Sequence, residues 1–185
     1  MISFVSKPGS LWVLHFAFYT GFLALRSWFH LVPMPSAMIL GLLLVWVSVI
    51  DVERFEIPDT ASVLLALTGA IFAYQAGRIT FFDHVAAGLL WAGLFWLVAC
   101  TYARWRGWQG LGFGDVKLMF GIGLWLGTAS TPAVVFGASI AGIVTILMMS
   151  VCGRAPIKEM GKTGIAFGPF LCLSAWVIWL FKDLI

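Results

Sequence analysis

Two of the eight acidic residues stand where a carboxylate could do chemistry. Asp51 directly follows the apolar run 39–50, which places it at or just inside a hydrocarbon boundary. Asp115 ends the glycine-rich loop 107–114 and begins another apolar segment. Two facing carboxylates in a partly desolvated site cannot both ionise easily, so they share one proton. The ionised member can then take a proton from water while the protonated member polarises a carbonyl, as aspartic-protease chemistry requires.

The spacing of the same two acids is also compatible with purely structural roles. Asp115 could be a helix N-cap after a glycine-rich turn, and Asp51 could pair with Arg54 at the membrane boundary. The glycines at 107, 110, 112 and 114 favour a functional loop, because they let a backbone or a substrate strand approach closely. A phosphate-binding loop is a weaker interpretation, since no Gly-x-x-x-x-Gly-Lys-Ser/Thr pattern and no preceding strand are present.

The other acids fit structural or solvated roles. Asp59 follows a proline and Asp83 begins the fourth apolar segment, so both are predicted to cap helices. Glu53 and Glu56 flank Arg54 in a polar loop close to Asp51 and are expected to be solvated.

The elements that position these acids are predicted to be membrane helices. Of the 185 residues, 62% are hydrophobic and 10% charged, whereas soluble domains are nearer to half apolar and a quarter charged. This composition excludes a disordered chain, a nucleic-acid-binding module and an ordinary cytosolic enzyme. Apolar segments are predicted over residues 11–25, 34–50, 60–76, 82–102, 116–128, 131–151 and 165–181.

Most of these segments approach the roughly 20 residues that a helix needs to cross a bilayer. The predicted fold class is therefore all-α, a polytopic membrane helical bundle in one domain (1–185). About seven transmembrane segments are expected, or six if the short fifth segment merges with the sixth.

Basic residues predict which way the bundle is oriented. With seven spans, the side that carries Asp51 and Asp115 holds most of the lysines and arginines, namely Lys7, Arg54, Arg104, Arg106, Lys117, Arg154, Lys158 and Lys162. The other side holds Arg26, Arg78 and Lys182. By the positive-inside rule the acids face the cytoplasm and the chain ends outside it.

Histidine and cysteine do not indicate a metal site. The 3 histidines and 3 cysteines are scattered, and no Cys-x-x-Cys pair is present. The sequence therefore predicts neither a zinc site nor a disulfide framework. The net charge of +3 is too small to indicate a nucleic-acid partner.

Three motifs resemble those of the type IV prepilin peptidases, a family of membrane aspartic proteases. The Gly-x-Gly-Asp motif is matched by Gly112-Phe113-Gly114-Asp115, continuing as Val116-Lys117-Leu118. Asp51 with the downstream Ile57-Pro58-Asp59 is similar to the family's first aspartate motif. The stretch Ile165-Ala166-Phe167-Gly168-Pro169-Phe170 is similar to the family's late (Ile/Pro)-x-Phe-Gly-Pro-Phe motif. The resemblance covers roughly residues 35–175.

This resemblance implies an aspartic endopeptidase that removes the short basic leader from type IV prepilins or pseudopilins. Cleavage would follow a glycine just before the substrate's hydrophobic helix. The implied catalytic pair is Asp51 and Asp115, and the implied supporting residues are Gly112, Gly114, Lys117, Gly168 and Pro169. Glu53 and Glu56 would attract the basic leader.

The resemblance also implies a place and a set of partners. The chain would lie in the bacterial inner membrane as a multi-pass protein, with its active site at the cytoplasmic face. Its partners would be a prepilin or pseudopilin and membrane lipid, with no nucleic acid. No metal and no organic cofactor is expected.

The chain departs from the larger family members in one respect. Those members carry an N-terminal cytoplasmic domain with two Cys-x-x-Cys pairs, and many also methylate the new N-terminus. The chain resembles the short form, so neither a zinc site nor methyltransferase activity is expected.

Two other functions compete with a peptidase. One is a small transporter that uses intramembrane acids, although no internal repeat is seen and both key acids lie at one edge. The other is a non-catalytic assembly factor of a pilus or secretion system, against which the intact pair of aspartates argues.

Overall fold

The computed structural model describes residues 8–27, 34–107, 111–151 and 166–182. These residues form helices and contain no strand. The helices are α1 (Pro8–Ser27), α2 (Met34–Arg54), α3 (Asp59–Gln75), α4 (Arg78–Arg106), α5 (Phe113–Val151) and α6 (Gly168–Phe181). By length and composition α2, α4 and α5 can each cross a membrane, and α1 and α6 contain shorter apolar stretches. The predicted fold class, an all-α membrane helical bundle, is confirmed.

The long helix α5 contains the predicted fifth and sixth segments, and the chain reverses direction within it at Gly127. This residue has φ 73° and ψ 179°, a combination that is essentially restricted to glycine. Before the break, Trp125 packs against Trp179 near the end of α6, with ring centroids 6.1 Å apart. After the break, Gly142 lies beside Phe170, near the start of α6. The chain therefore passes along α6 twice, and the seven predicted segments fit into six helices.

Two residues of α4 hold this reversal in place. The Asp83 carboxylate accepts the backbone N–H of Thr128, at an N···O distance of 3.1 Å, and also its hydroxyl. His84 donates from Nδ1 to the carbonyl of Leu124 over 2.8 Å. The prediction that Asp83 caps its own helix was wrong, because α4 already begins at Arg78. The carboxylate instead satisfies the first N–H after the break in α5.

Small residues let the helices of the bundle approach closely. A Cβ on Gly123 would lie 2.5 Å from the backbone nitrogen of Gly88, so α4 and α5 touch backbone to backbone. Such contacts are typical of helices in a membrane, where packing rather than the hydrophobic effect drives association. Two of the buried core tryptophans have their indole N–H satisfied by a backbone carbonyl. Trp125 donates to Leu65 over 2.9 Å, and Trp176 donates to Tyr19 over 3.1 Å.

Candidate functional site

Asp51 and Asp115 meet at one end of the bundle. Asp51 lies in the last turn of α2 and Asp115 in the first turn of α5. Both are buried, with 6% and 7% of their surfaces exposed, and both line one cavity of about 760 Å³. The two carboxylates interact electrostatically. The structure thus brings together the two acids that the sequence pattern singled out, while their catalytic role stays a prediction.

The start of α6 positions Asp51. Gly168, the first residue of α6, donates its backbone N–H to Asp51 Oδ2 over 3.0 Å. A Cβ at position 168 would lie 2.5 Å from the same oxygen, so only glycine leaves room for this contact. Pro169 follows in the first turn of α6, where a missing N–H costs the helix nothing. Of the two late-motif residues, Gly168 therefore touches the acid and Pro169 begins the helix.

The glycine-rich motif positions Asp115. Because α5 begins at Phe113, Gly112 occupies its N-cap position and Asp115 the third helical position. The Asp115 carboxylate accepts the backbone N–H of Gly112, which is one half of a capping box. Asp115 is therefore not the N-cap itself, the structural alternative that its spacing left open.

Gly114 lets the start of α5 approach the loop that follows α2. A Cβ at this position would lie 2.9 Å from the Cβ of Ile57, in the loop that follows Asp51. Gly112 and Gly114 both line the cavity with the two acids. Gly114 thus serves close approach between the start of α5 and the segment after α2, which spacing alone could not reveal.

Lys117 forms an ion pair across the same cavity. Its Nζ lies 2.5 Å from Asp59 Oδ1 and 5.3 Å from the centre of the Phe113 ring. The prediction that Asp59 is an N-cap was wrong, because Pro58 occupies the N-cap of α3 and Asp59 is its first residue. The pair joins the segment after Asp51 to the helix that carries Asp115. Its partners lie far apart in the sequence, so no local pattern signals it.

The two glutamates expected to attract a basic leader are placed differently. Glu56 lines the cavity, whereas Glu53 is exposed on α2. Between them, Phe55 has φ 55° and donates its N–H to the carbonyl of Asp51 over 2.9 Å. This left-handed residue ends α2 just after Asp51, a place where glycine is usual. Phe55 also lines the cavity and was missed, because only the backbone conformation distinguishes it.

Metal ligands do not gather in the part of the chain that the structure describes. Over those residues, no group of three histidine, cysteine, aspartate or glutamate side chains could hold a metal ion. Among the described cysteines, Cys172 is buried in α6 and Cys100 is half-buried in α4. The cavity at this end of the bundle offers carboxylates, backbone N–H groups, one lysine and one arginine, Arg54.

Comparison with known proteins gives a consistent set of relatives. A family model described as type IV leader peptidase family matches residues 38–147. The chain is 30% identical over 158 residues to a prepilin leader peptidase/N-methyltransferase of Neisseria gonorrhoeae, covering 85% of this chain and 51% of the relative. It is 33% identical over 135 residues to the protein of that name from Escherichia coli (strain K12), covering 70% and 56%. The chain thus spans about half the length of the curated relatives it matches. No solved structure matches significantly.

Proposed function

The chain belongs to the type IV leader peptidase family, and from this premise we propose that it is a membrane aspartic endopeptidase that removes the short basic leader from type IV prepilins or pseudopilins. The relatives' names support this substrate class. The observation that carries the proposal is the pair of buried carboxylates, Asp51 and Asp115, in one cavity. Both acids lie at one end of the bundle, which favours a peptidase over a transporter with acids near the membrane midplane.

In the proposed mechanism the two carboxylates share one proton. The ionised carboxylate takes a proton from a water molecule as the water oxygen attacks the scissile carbonyl carbon. The protonated carboxylate donates a hydrogen bond to the carbonyl oxygen and stabilises the charge that develops there. Collapse of the tetrahedral intermediate breaks the C–N bond, and a proton passes to the leaving amine. The products are a leader with a free carboxylate and a pilin with a new amino terminus.

Backbone groups hold each carboxylate in place for this reaction. Gly168 donates an N–H to Asp51, and Gly112 donates one to Asp115. Because these donors belong to α6 and to the start of α5, the positions of the acids depend on how three helices pack. The Lys117–Asp59 ion pair adds a third attachment, between α5 and α3. A misplacement of ~1 Å in such a site can cost about 100-fold in rate.

The proposal places the cavity at the cytoplasmic face of a bacterial inner membrane. The excess of lysine and arginine on the loops at this end supports that orientation. The leader that would enter the cavity is basic, and Glu56 at the cavity wall supplies a charge that attracts it. The proposal covers the peptidase step and does not include methyl transfer.

The test is cleavage of a prepilin by the chain and its variants. The chain is co-expressed with a prepilin, and the loss of the leader is followed as a size shift. Asp51→Asn and Asp115→Asn should each abolish cleavage, because an amide neither takes up nor releases a proton. Glu53→Gln is the matched control, since it makes the same change at an exposed position of α2. The double variant should be no worse than either single one, because residues that act as a unit are non-additive. Cleavage by both single variants would overturn the aspartic mechanism.

A further inference from the structure

Two smaller cavities lie along α1, and the first of them is close to the catalytic one. The first, of about 230 Å³, lies between α1, α2 and α6, and its wall includes Phe18, Tyr19, Ser48 and Phe170. It adjoins the catalytic pair, because Ser48 lies one turn before Asp51 on α2. Pro169, also in its wall, directly follows the glycine that binds Asp51. We call this space the hydroxyl crevice.

The second cavity, of about 310 Å³, lies farther along the same two helices. Its wall includes Phe16 and Leu23 from α1, Met38 and Leu42 from α2, and Trp176 from α6. We call it the apolar groove. Tyr19 lines both spaces, so they adjoin each other. From Ser48 to Met38 the helix α2 rises about 15 Å, so the two spaces form a track of that length that leads away from the catalytic pair.

The hydroxyl crevice contains two buried polar atoms without a partner. Tyr19 is 4% exposed and Ser48 is 1% exposed. Their hydroxyl oxygens lie near one another and the Cys172 thiol lies near that of Ser48, yet neither hydroxyl makes a well-formed hydrogen bond to any described residue. They are the buried side-chain oxygens or nitrogens of the described chain for which this is so. A buried hydroxyl without a partner is costly, so two of them beside a catalytic pair point to a ligand.

We propose that this track receives the apolar helix of the substrate, with the first turn of that helix in the hydroxyl crevice and its next turns in the apolar groove. The proposal rests on the proposed function and identifies the surface that binds the substrate beyond the scissile bond. The polarity of the three spaces changes in the same order as the polarity along such a substrate, from its basic leader to its apolar helix. Charged residues line the catalytic cavity, two hydroxyls follow, and the wall then becomes apolar.

The two hydroxyls can supply hydrogen-bond acceptors that the start of the incoming helix lacks. The first turn of any helix carries four backbone N–H groups without an intrahelical partner. Within a membrane, water is not there to satisfy them. The Tyr19 and Ser48 hydroxyls can accept such N–H groups where the helix begins, next to the bond to be cut. Binding would then pair groups on both molecules that are costly to leave unpaired.

The hydroxyls are tested by deleting them singly, with the full chain in lipid vesicles and a purified prepilin as substrate. Tyr19→Phe and Ser48→Ala should each raise KM by about 2- to 10-fold, the value of one hydrogen bond. The thermal midpoint should not fall, because neither hydroxyl bonds to a described residue of the free protein. Tyr74→Phe and Ser139→Ala are the matched controls, at an exposed ring and at a hydroxyl already bonded within α5. Unchanged KM in both test variants would overturn the role of the hydroxyls.

The groove is tested by filling it. Leu42→Trp places a larger apolar side chain in the groove, and Leu90→Trp makes the same change on the exposed surface of α4. Leu42→Trp should lower kcat/KM for the full prepilin by at least about 10-fold. It should leave unchanged the cleavage of a short peptide that spans the cleavage site but lacks the apolar helix. Equal kcat/KM for the two tryptophan variants would show that the helix binds elsewhere.

A binding measurement decides the proposal independently of cleavage. Photo-reactive benzoylphenylalanine replaces Phe16 in the groove or, as the control, the similarly exposed Phe82. The carrier is the Asp115→Asn protein, which retains the substrate. Prepilin should cross-link at position 16, through its apolar helix, well above the yield at position 82. Equal cross-linking yields at positions 16 and 82 would show that the substrate helix does not bind in the apolar groove. Failure of the unaltered chain to cleave prepilin would overturn the proposed function instead, and the cross-link would still decide where the helix binds.

Discussion

At the scale of single residues, the candidate site depends on backbone groups as much as on acids. Asp51 and Asp115 supply the carboxylates, but each is held by the N–H of a glycine. At Gly168 the contact is so close that a Cβ would lie 2.5 Å from the carboxylate oxygen. The glycine is thus needed for the space it leaves around the Asp51 carboxylate.

Gly168→Ala should therefore leave a folded protein with little activity. The added methyl would push the Asp51 carboxylate away, and ~1 Å of displacement can cost about 100-fold in rate. The measurement is kcat for prepilin cleavage, together with the thermal midpoint in detergent. Gly93→Ala, at a helical glycine of α4 with open space around it, is the control and should keep full activity. Normal kcat in Gly168→Ala would show that Asp51 tolerates displacement.

The two glutamates near Asp51 provide a test residue and its control. Glu56 lines the cavity that holds Asp51 and Asp115, and Glu53 is exposed outside it. Glu56→Gln should raise KM for a prepilin with a basic leader by roughly 2- to 5-fold, the scale of an exposed charge pair. The effect should fade at high salt, because screening weakens exposed charges. Glu53→Gln should leave KM unchanged. An equal rise in KM for both variants would indicate that the overall surface charge, and not Glu56 at the cavity wall, attracts the leader.

At the scale of elements, the reversal at Gly127 decides how α5 packs. The two halves of α5 both lie along α6, and the turn between them is bound to the start of α4 through Asp83 and His84. Close contact of Gly123 with Gly88 keeps the first half against α4. These contacts hold the first half of α5, which begins with the turn that carries Asp115, against α4.

Gly127→Ala should destabilise the bundle by about 1–3 kcal/mol, since its backbone conformation is essentially restricted to glycine. The added methyl would also collide with Asp83 and His84. Unfolding in detergent measures the loss, with Gly93→Ala as the control for a glycine in open space. A stability equal to that of the control would mean that the turn relaxes without cost.

Some of this element-level structure follows from the sequence, and some does not. The sequence predicted the helices and the meeting of Asp51 and Asp115, because each acid directly borders an apolar run. It did not predict that Asp83 binds Thr128 or that Asp59 binds Lys117. Both acids stand near helix starts, where capping is the expected local role, and only tertiary packing offers them partners elsewhere. The unpaired hydroxyls of Tyr19 and Ser48 also give no local signal.

At the scale of the whole molecule, the candidate site and the end of α6 lie at opposite ends of the bundle. The start of α1, the end of α2 and the starts of α5 and α6 lie at the end of the bundle that holds the cavity. A reporter fused after Ile185 should therefore report a periplasmic position. A reporter inserted after Gly107, between α4 and α5, should report a cytoplasmic one. If both reporters lie on the same side, the seven-span topology is wrong, and if their positions are exchanged, the proposed orientation is wrong.

The reversal at Gly127 also decides whether the chain crosses the membrane an odd or an even number of times between Asp51 and Gly168. Each crossing moves the chain to the other side of the membrane, so an odd or even number of crossings decides where the next helix begins. Were α5 a single straight crossing, α6 would begin on the far side, and the N–H of Gly168 would be separated from Asp51 by the thickness of the bilayer, about 30 Å. One glycine in the middle of α5 thus keeps the third motif on the same side as the other two. Crossings between Asp51 and Gly168 can therefore be gained or lost in evolution only in pairs, since an odd change would separate these two residues.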